Sequence, residues 1–158
     1  MSLIDKYGGV GPALTVTTNE YVASVICRLI HYGDYDKGGV PYHLHPEAVA
    51  RMFSWEDMEL RTIAYLHDTV EDHPEKISIE FIREFFGDEI ANAIDAISKR
   101  KNETYKEYIN RVKQNELAKA VKVADLKHNM KVERLPNGGK GCESLFERYS
   151  DALKYLSE

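Results

Sequence analysis

Along most of this chain, apolar residues recur every three or four positions, the spacing of helices that bury one face, and nowhere do they alternate long enough to mark a strand. Val22, Val25, Ile26, Leu29 and Ile30 form the first stripe, with Thr17 and Glu20 spaced as a capping box ahead of it. Gly38, Gly39 and Pro41 break the pattern and mark residues 33–42 as a loop. Pro46 suits the first position of a second helix, running to about Phe53. Ser54 and Asp57 are spaced to cap a third, which passes through residues 66–72. His73-Pro74 closes it, because proline disfavours helical geometry in the residue before it.

Ser78 then caps a helix over residues 79–86, and Gly87-Asp88 restarts the chain into residues 90–97. A charged break at residues 99–103 precedes a helix over about 104–112, in which Tyr105 and Tyr108 pack the helix that carries them. A longer helix, from Leu117 to about Glu133, turns Val121, Ala124, Leu126 and Met130 inward. The loop at residues 136–141 leads to a last amphipathic helix over 145–156. No repeat or low-complexity tract is present. The expected fold is all-α, a compact single-domain bundle over residues 1–158 with its core at about 19–157.

Composition narrows the function classes. At 158 residues, 43% hydrophobic and 30% charged, the chain is of ordinary globular make-up and long enough for a substantial core. No apolar run approaches the roughly 20 residues that span a bilayer, and no basic stretch followed by an apolar core marks a signal peptide at the start. Cys27 and Cys142 are far apart, without a CxxC pair, and suit a reducing cytoplasm. The net charge of -5 argues against broad nucleic-acid binding, which needs a basic surface. It leaves room for a small phosphorylated ligand, whose charge a local cleft and a metal can offset. Oligomeric state is not legible.

The richest chemistry lies in Leu66-His67-Asp68-Thr69-Val70-Glu71-Asp72. On a helix, His67 would stack over Glu71, and Asp68 over Asp72. Carboxylates crowded and buried there would cost several kcal/mol unless a cation offset them. A divalent metal is the simplest such cation, and it points to a metal-dependent hydrolase. Two other elements offer ligands: Tyr42-His43-Leu44-His45-Pro46 places histidines before a helix start, and Val123-Ala124-Asp125-Leu126 sets a carboxylate in an apolar helix. His45, His67, Asp68 and Asp125 together give two imidazoles and two carboxylates. That set suits Mn²⁺, Fe²⁺, Zn²⁺ or Mg²⁺, with Mn²⁺ favoured by the hard oxygens. His43 competes with His45, and Asp125 could instead be a buried partner of Lys122 or Lys127. Glu71 and Asp72 could also be a solvated helix end.

These segments resemble the HD-domain phosphohydrolases, and more narrowly the RelA/SpoT-type alarmone hydrolases of the stringent response. Gly39-Val40-Pro41-Tyr42-His43-Leu44-His45-Pro46 is similar to their GxPYxxHP element, residues 67–72 to HDxxED, residues 123–129 to LADxxxN, and residues 86–90 to the FGxEV turn. The resemblance runs from about Tyr21 to Tyr155. No synthetase or regulatory domain follows, so the expectation is the small, stand-alone type. It implies an HD-type helical fold in which His45, His67, Asp68 and Asp125 hold one divalent metal, while Glu71 and Asp72 orient and deprotonate the attacking water. It implies further that Asn129 bonds the nucleotide sugar and that Tyr149 and Lys37 contact the nucleotide. The implied reaction is 3′-pyrophosphohydrolysis of guanosine 3′,5′-bis(diphosphate), releasing pyrophosphate.

One position departs from the family. Longer relatives carry Arg-Lys before the GxPY element; here Lys37 keeps the lysine, but Asp36 replaces the arginine. An aspartate there removes a stacking cation and adds repulsion toward phosphate. Alternative readings are therefore a phosphatase for another nucleotide or a phosphorylated dinucleotide, and a non-catalytic, metal-dependent nucleotide sensor. His31, His73 and His128 read as surface or supporting histidines, His128 within reach of phosphate. Lys99-Arg100-Lys101 reads as a solvated break, and Gly138-Gly139-Lys140-Gly141 as a flexible loop that lacks the Ser/Thr and preceding strand of a phosphate-binding loop.

Overall fold

The first apolar stripe forms α1 (Pro12–Ile30), which starts upstream of Thr17, so no cap falls there and that side chain lies outside the described residues. The computed structural model describes residues 12–135 and 139–158; Pro136, Asn137 and Gly138 of the expected loop lie outside them. After α1 come α2 (Leu44–Ala50), α3 (Met58–Leu66) and the single turn α4 (Thr69–Asp72). α5 (Ile79–Phe86), α6 (Asp88–Ile97), α7 (Tyr105–Lys113), α8 (Glu116–Asn129) and α9 (Glu143–Ser157) follow. Among the described residues the only β pairing is one isolated bridge, Tyr35 to Pro41, which pinches the loop between α1 and α2. The fold is all-α.

Local chemistry sets most boundaries. Ser78 Oγ accepts the Phe81 N–H at 3.2 Å and starts α5 where the sequence places it. Gly87, at φ +91°, takes the left-handed turn between α5 and α6 that a side chain would disfavour. Thr104 and Glu107 form a full capping box at the start of α7, a signature the apolar spacing alone does not reveal.

Two ends differ from expectation. α2 opens at Leu44, because the Leu44 and His45 N–H groups already bond Pro41 O and Tyr42 O at 3.2 and 2.9 Å. Pro46 is thus third in the helix, still within the first turn, where its missing N–H costs nothing. α8 stops at Asn129 rather than near Glu133. The Lys131 N–H bonds His128 O at 3.2 Å, which tightens the chain into the 3₁₀ turn Val132–Arg134.

α3 and α8 run through the middle: α3 packs on α1, α2 and α6, and α8 packs on α2, α3, α6, α7 and α9. Ile63, Leu66, Ile94, Ile97, Val121 and Leu126 fill the space between them, fully buried, while Met130 is only half-buried. Burying each such side chain contributes on the order of 1.5–3 kcal/mol. Tyr108 joins this core and donates its hydroxyl to Ile97 O at 2.6 Å, 6.0 Å from the Tyr105 ring. The charged break after α6 is solvated at Arg100 and Lys101, both exposed, while its two ends are tied down. The Arg111 guanidinium donates to the carbonyls of Asp95, Ala96 and Ser98 at 2.7–2.9 Å and to the Glu103 carboxylate, closing the frayed end of α6.

Candidate metal centre and substrate cavity

The helix expected through residues 66–72 opens at His67-Asp68, between α3 and α4. Two side chains take the carbonyls of the last turn: His67 Nδ1 donates to Ala64 O at 2.6 Å, and Thr69 Oγ1 to Leu66 O at 2.7 Å. Asp72 N–H still bonds Asp68 O at 2.9 Å, so the Glu71-Asp72 pair remains one turn beyond the His-Asp pair. Because a carbonyl only accepts, His67 Nδ1 carries a proton and Nε2 is the nitrogen left to bind a metal. Burial opposes charge on the ring, but Asp68 and Asp125 outweigh it, so that without a cation its pKa stands well above the ordinary value. That Nε2 is buried and has no hydrogen-bond partner.

Three further donor atoms converge on it. His45 Nε2 lies 2.9 Å from Asp125 Oδ1 and 3.6 Å from Asp68 Oδ2. His67 Nε2 lies 3.1 Å from Asp68 Oδ2 and 3.6 Å from Asp125 Oδ1. His45, His67 and Asp125 are each no more than 2% exposed. His45, not His43, supplies the imidazole from α2. An orphaned buried nitrogen facing two carboxylates and a second imidazole is a donor set that fits a divalent metal.

Supporting contacts hold each donor. Tyr42 donates its hydroxyl to Asp68 Oδ2 at 2.9 Å, and Lys122 Nζ reaches Asp125 Oδ2 at 2.8 Å. The Lys122 pairing foreseen for Asp125 therefore exists, but on the oxygen turned away from the histidines. His45 Nδ1 lies 2.8 Å from His128 Nδ1. His128 is buried rather than on the surface, and burial, then the neighbouring His45, pushes it down to about 4. It is thus neutral and can accept the proton that fixes His45 with Nε2 free. Burial opposes charge on Asp125, but Lys122 and the two histidines outweigh it and hold the carboxyl well below the usual range.

The acidic pair beyond the centre divides into two environments. Glu71 Oε2 accepts the Lys99 N–H at 2.6 Å, which ties α4 to the break after α6. Both side chains of the pair keep contact with solvent, as a helix end would. Partial desolvation raises the Glu71 carboxyl above the ordinary value, and partial desolvation, with the charges of Asp68 and Glu71, pushes Asp72 up to about 7.

Beside the centre lies a cavity of about 250 Å³, lined by Tyr35, Asp36, Lys37, Tyr42, Asn129 and Arg134, with Leu145 and Tyr149 from α9. Lys37, Asn129 and Tyr149, singled out from the sequence, thus share one space. Asn129 is turned inward: its Nδ2 donates to Asp125 Oδ1 at 2.6 Å, and its Oδ1 accepts from Arg134 Nε at 3.3 Å. Asp36 is not a bare anion. Its Oδ1 accepts the Gly38 and Val40 N–H groups at 2.8 and 3.0 Å, and Oδ2 faces Arg134 Nη1 at 3.6 Å. The repulsion toward phosphate expected of Asp36 is therefore largely spent inside the loop and on Arg134.

Residues 42–130, which include every donor of the centre, match the HD domain. The chain belongs to the HD-domain family. A probable GTP pyrophosphokinase of Mycobacterium leprae is 33% identical over 115 residues, covering 66% of this chain and 14% of that protein. A guanosine-3′,5′-bis(diphosphate) 3′-pyrophosphohydrolase of Vibrio cholerae is 36% identical over 77 residues, covering 48% of this chain and 11% of that protein. The chain thus spans a small part of the length of these curated relatives. A solved metazoan ortholog of SpoT, described as hydrolysing ppGpp, superposes with a TM-score of 0.72 at 21% identity, over 87% of this chain and 85% of its own. That likeness is one of fold. The HD family and the His/Asp cluster together imply a bound divalent metal.

Sequence reasoning missed two residues of this HD centre and cavity, Tyr42 and Arg134. Tyr42 lies inside the GxPY element but reads there as a loop residue. Lys122 was foreseen as a partner of Asp125 and His128 as a supporting histidine, though not its contact with His45. Arg134 gives no sequence signal, because only the turn after α8 brings it to Asp36.

Proposed function

We propose that this HD domain is a metal-dependent phosphohydrolase that cleaves guanosine 3′,5′-bis(diphosphate) at the 3′ position. Water adds across the ester that joins pyrophosphate to the 3′ oxygen, releasing pyrophosphate and the nucleoside 5′-diphosphate. The observation that carries this reading is the convergence of His45, His67, Asp68 and Asp125 beside a cavity lined by Lys37, Asn129 and Tyr149. The Vibrio cholerae relative, a guanosine-3′,5′-bis(diphosphate) 3′-pyrophosphohydrolase by name, supports it.

His45, His67, Asp68 and Asp125 would hold one ion, manganese by the hardness of the two carboxylates, and its Lewis acidity would polarise the scissile phosphate. Asp72 takes the proton from the attacking water; a carboxylate near 7 suits a base working at neutral pH. Glu71, fixed by the Lys99 N–H, orients that water. Lys37 offsets phosphate charge, and Tyr149 stacks on the base. Asn129 exchanges its contact with Arg134 for one to the sugar. The buried free thiol of Cys27, pushed up to about 12 by burial, fits a cytoplasmic enzyme.

A second reading, a phosphatase for a different nucleotide, is favoured by the Asp36–Arg134 pair, which leaves that wall of the cavity near neutral. Incubating manganese-loaded protein with the alarmone and resolving the products by ion exchange tests both. Pyrophosphate with nucleoside diphosphate supports the first, orthophosphate the second. Tight binding with no product would make the domain a sensor.

A further inference from the structure

A second set of metal-ligating side chains lies outside the centre described above. His31 follows the last turn of α1, Asp34 sits three residues on in the loop, and His73 caps the end of α4. Asp34 Oδ2 lies 3.1 Å from His31 Nδ1 and 2.6 Å from His73 Nε2. One ligand atom from each of the three falls within 4.8 Å of the others. We propose that His31, Asp34 and His73 form a second divalent-cation site, of the zinc class, which clasps the substrate loop to the end of α4.

Several features of the cluster are those of a ligand set rather than a chance ion pair. The three residues come from two segments, the turn after α1 and the end of α4, and their backbones are pinned. His31 N–H bonds Cys27 O at 3.0 Å, Asp34 O accepts the Tyr42 N–H at 2.9 Å, and His73 O accepts the Lys76 and Ile77 N–H groups. Lys76 Nζ reaches back to Ile30 O at 2.7 Å, tying the end of α1 to the turn after α4. His73 Nδ1 lies 3.0 Å from Glu75 Oε1, so a carboxylate behind the ring aims Nε2 at the cluster, the usual outer support of a metal-bound histidine.

The His31 side chain is fully buried, with Nδ1 turned toward Asp34. Burial lowers its affinity for a proton, which keeps the ring in the neutral form that ligates. Asp34, with its side chain 34% exposed, leaves the open side through which water completes a four-coordinate shell. Two imidazoles and one carboxylate with one open position match a zinc ion held at about 2.0–2.2 Å.

The placement gives such an ion a job. Tyr42 stands between the two clusters, its ring 4.9 Å from that of His31 and 5.8 Å from that of His45, with its hydroxyl on Asp68. His73 directly follows Asp72, and Asp34 begins the loop that carries Asp36 and Lys37. A cation on His31, Asp34 and His73 would fix the acid pair's helix end relative to the cavity wall.

The experiment is a count of bound Zn²⁺ by elemental analysis, on full-length protein stripped with chelator, reloaded and dialysed. Wild type is expected to hold two equivalents, and His73→Gln and Asp34→Asn one each; both side chains are partly exposed, so these variants should fold. Asp125→Asn, which removes the first centre, is expected to keep one. In that variant, Zn²⁺ should shift the ring NMR signals of His31 and His73. One equivalent in the wild type that survives His73→Gln, or two in both proteins, overturns the proposal. One equivalent lost with His73→Gln but kept with Asp125→Asn would uphold it and sink the first centre instead.

Discussion

The metal centre and the cavity beside it share a wall but are built in opposite ways. Three of the centre's donors are almost sealed from solvent, and every donor is held from behind: His45 by His128, His67 by Ala64 O, Asp68 by Tyr42, and Asp125 by Lys122 and Asn129. The cavity is lined by a pinched loop, a 3₁₀ turn and α9, and one of its walls carries the Asp36–Arg134 pair. Under the function proposed, the groups that would hold an ion to a fraction of an ångström sit on packed helices, and those that would select a nucleotide sit on segments that can differ without disturbing the core.

Breaking the rigid side should have the largest effect. Asp125→Asn is expected to lose bound metal and reduce hydrolysis to background. It also leaves buried Lys122 without a counter-charge, at a cost of about 3 kcal/mol in unfolding free energy. Elemental analysis and denaturant melts check this, and unchanged metal content would remove Asp125 from the donors. At the acid pair, Glu71→Gln and Asp72→Asn should keep the metal while kcat falls by a factor of about 10². Normal turnover in either would reduce that residue to a structural role.

On the adaptable side, Lys37→Ala and Tyr149→Ala should raise KM about tenfold with kcat nearly unchanged, because contacts there are equal in ground and transition states. A fall in kcat with steady KM would place them in the chemistry instead. The smallest effect concerns pH in the metal-free protein. Folded Asp72 holds its proton up to about 7, whereas the ordinary carboxyl value of 3.8 applies once the chain unfolds. Its contribution to stability is therefore complete below about pH 4 and is lost as pH rises to about 7. Asp72→Asn should be flat over that window and melt a few degrees higher at pH 8. Parallel melting curves for the two proteins would show that Asp72 does not titrate there.

What the sequence disclosed was whatever is settled within a few residues. Ser78 and the Gly87-Asp88 restart act locally, and so were legible. That His45, His67, Asp68 and Asp125 lie together was legible for another reason: each sits in a short stretch with the spacing of a known motif. The interruption at His67-Asp68 was not, since it depends on side chains choosing carbonyls that a regular helix would have used. Nor were the burial of His31 and His128, the Lys99 N–H on Glu71, or Arg134 opposite Asp36. Those contacts join residues 28 to 98 positions apart or follow from packing, and no spacing rule encodes them.

The donors at positions 45, 67, 68 and 125 also bracket most of the bundle. An ion gripped by all four would cross-link α2, the end of α3 and the middle of α8, closing half the chain into a ring much as a disulfide does in secreted domains. Occupancy would then be felt as cohesion and not only as reactivity. A cell short of metal would hold a softer protein, more open to proteolysis, so that supply of the ion would set how much of the protein persists as well as how fast it works.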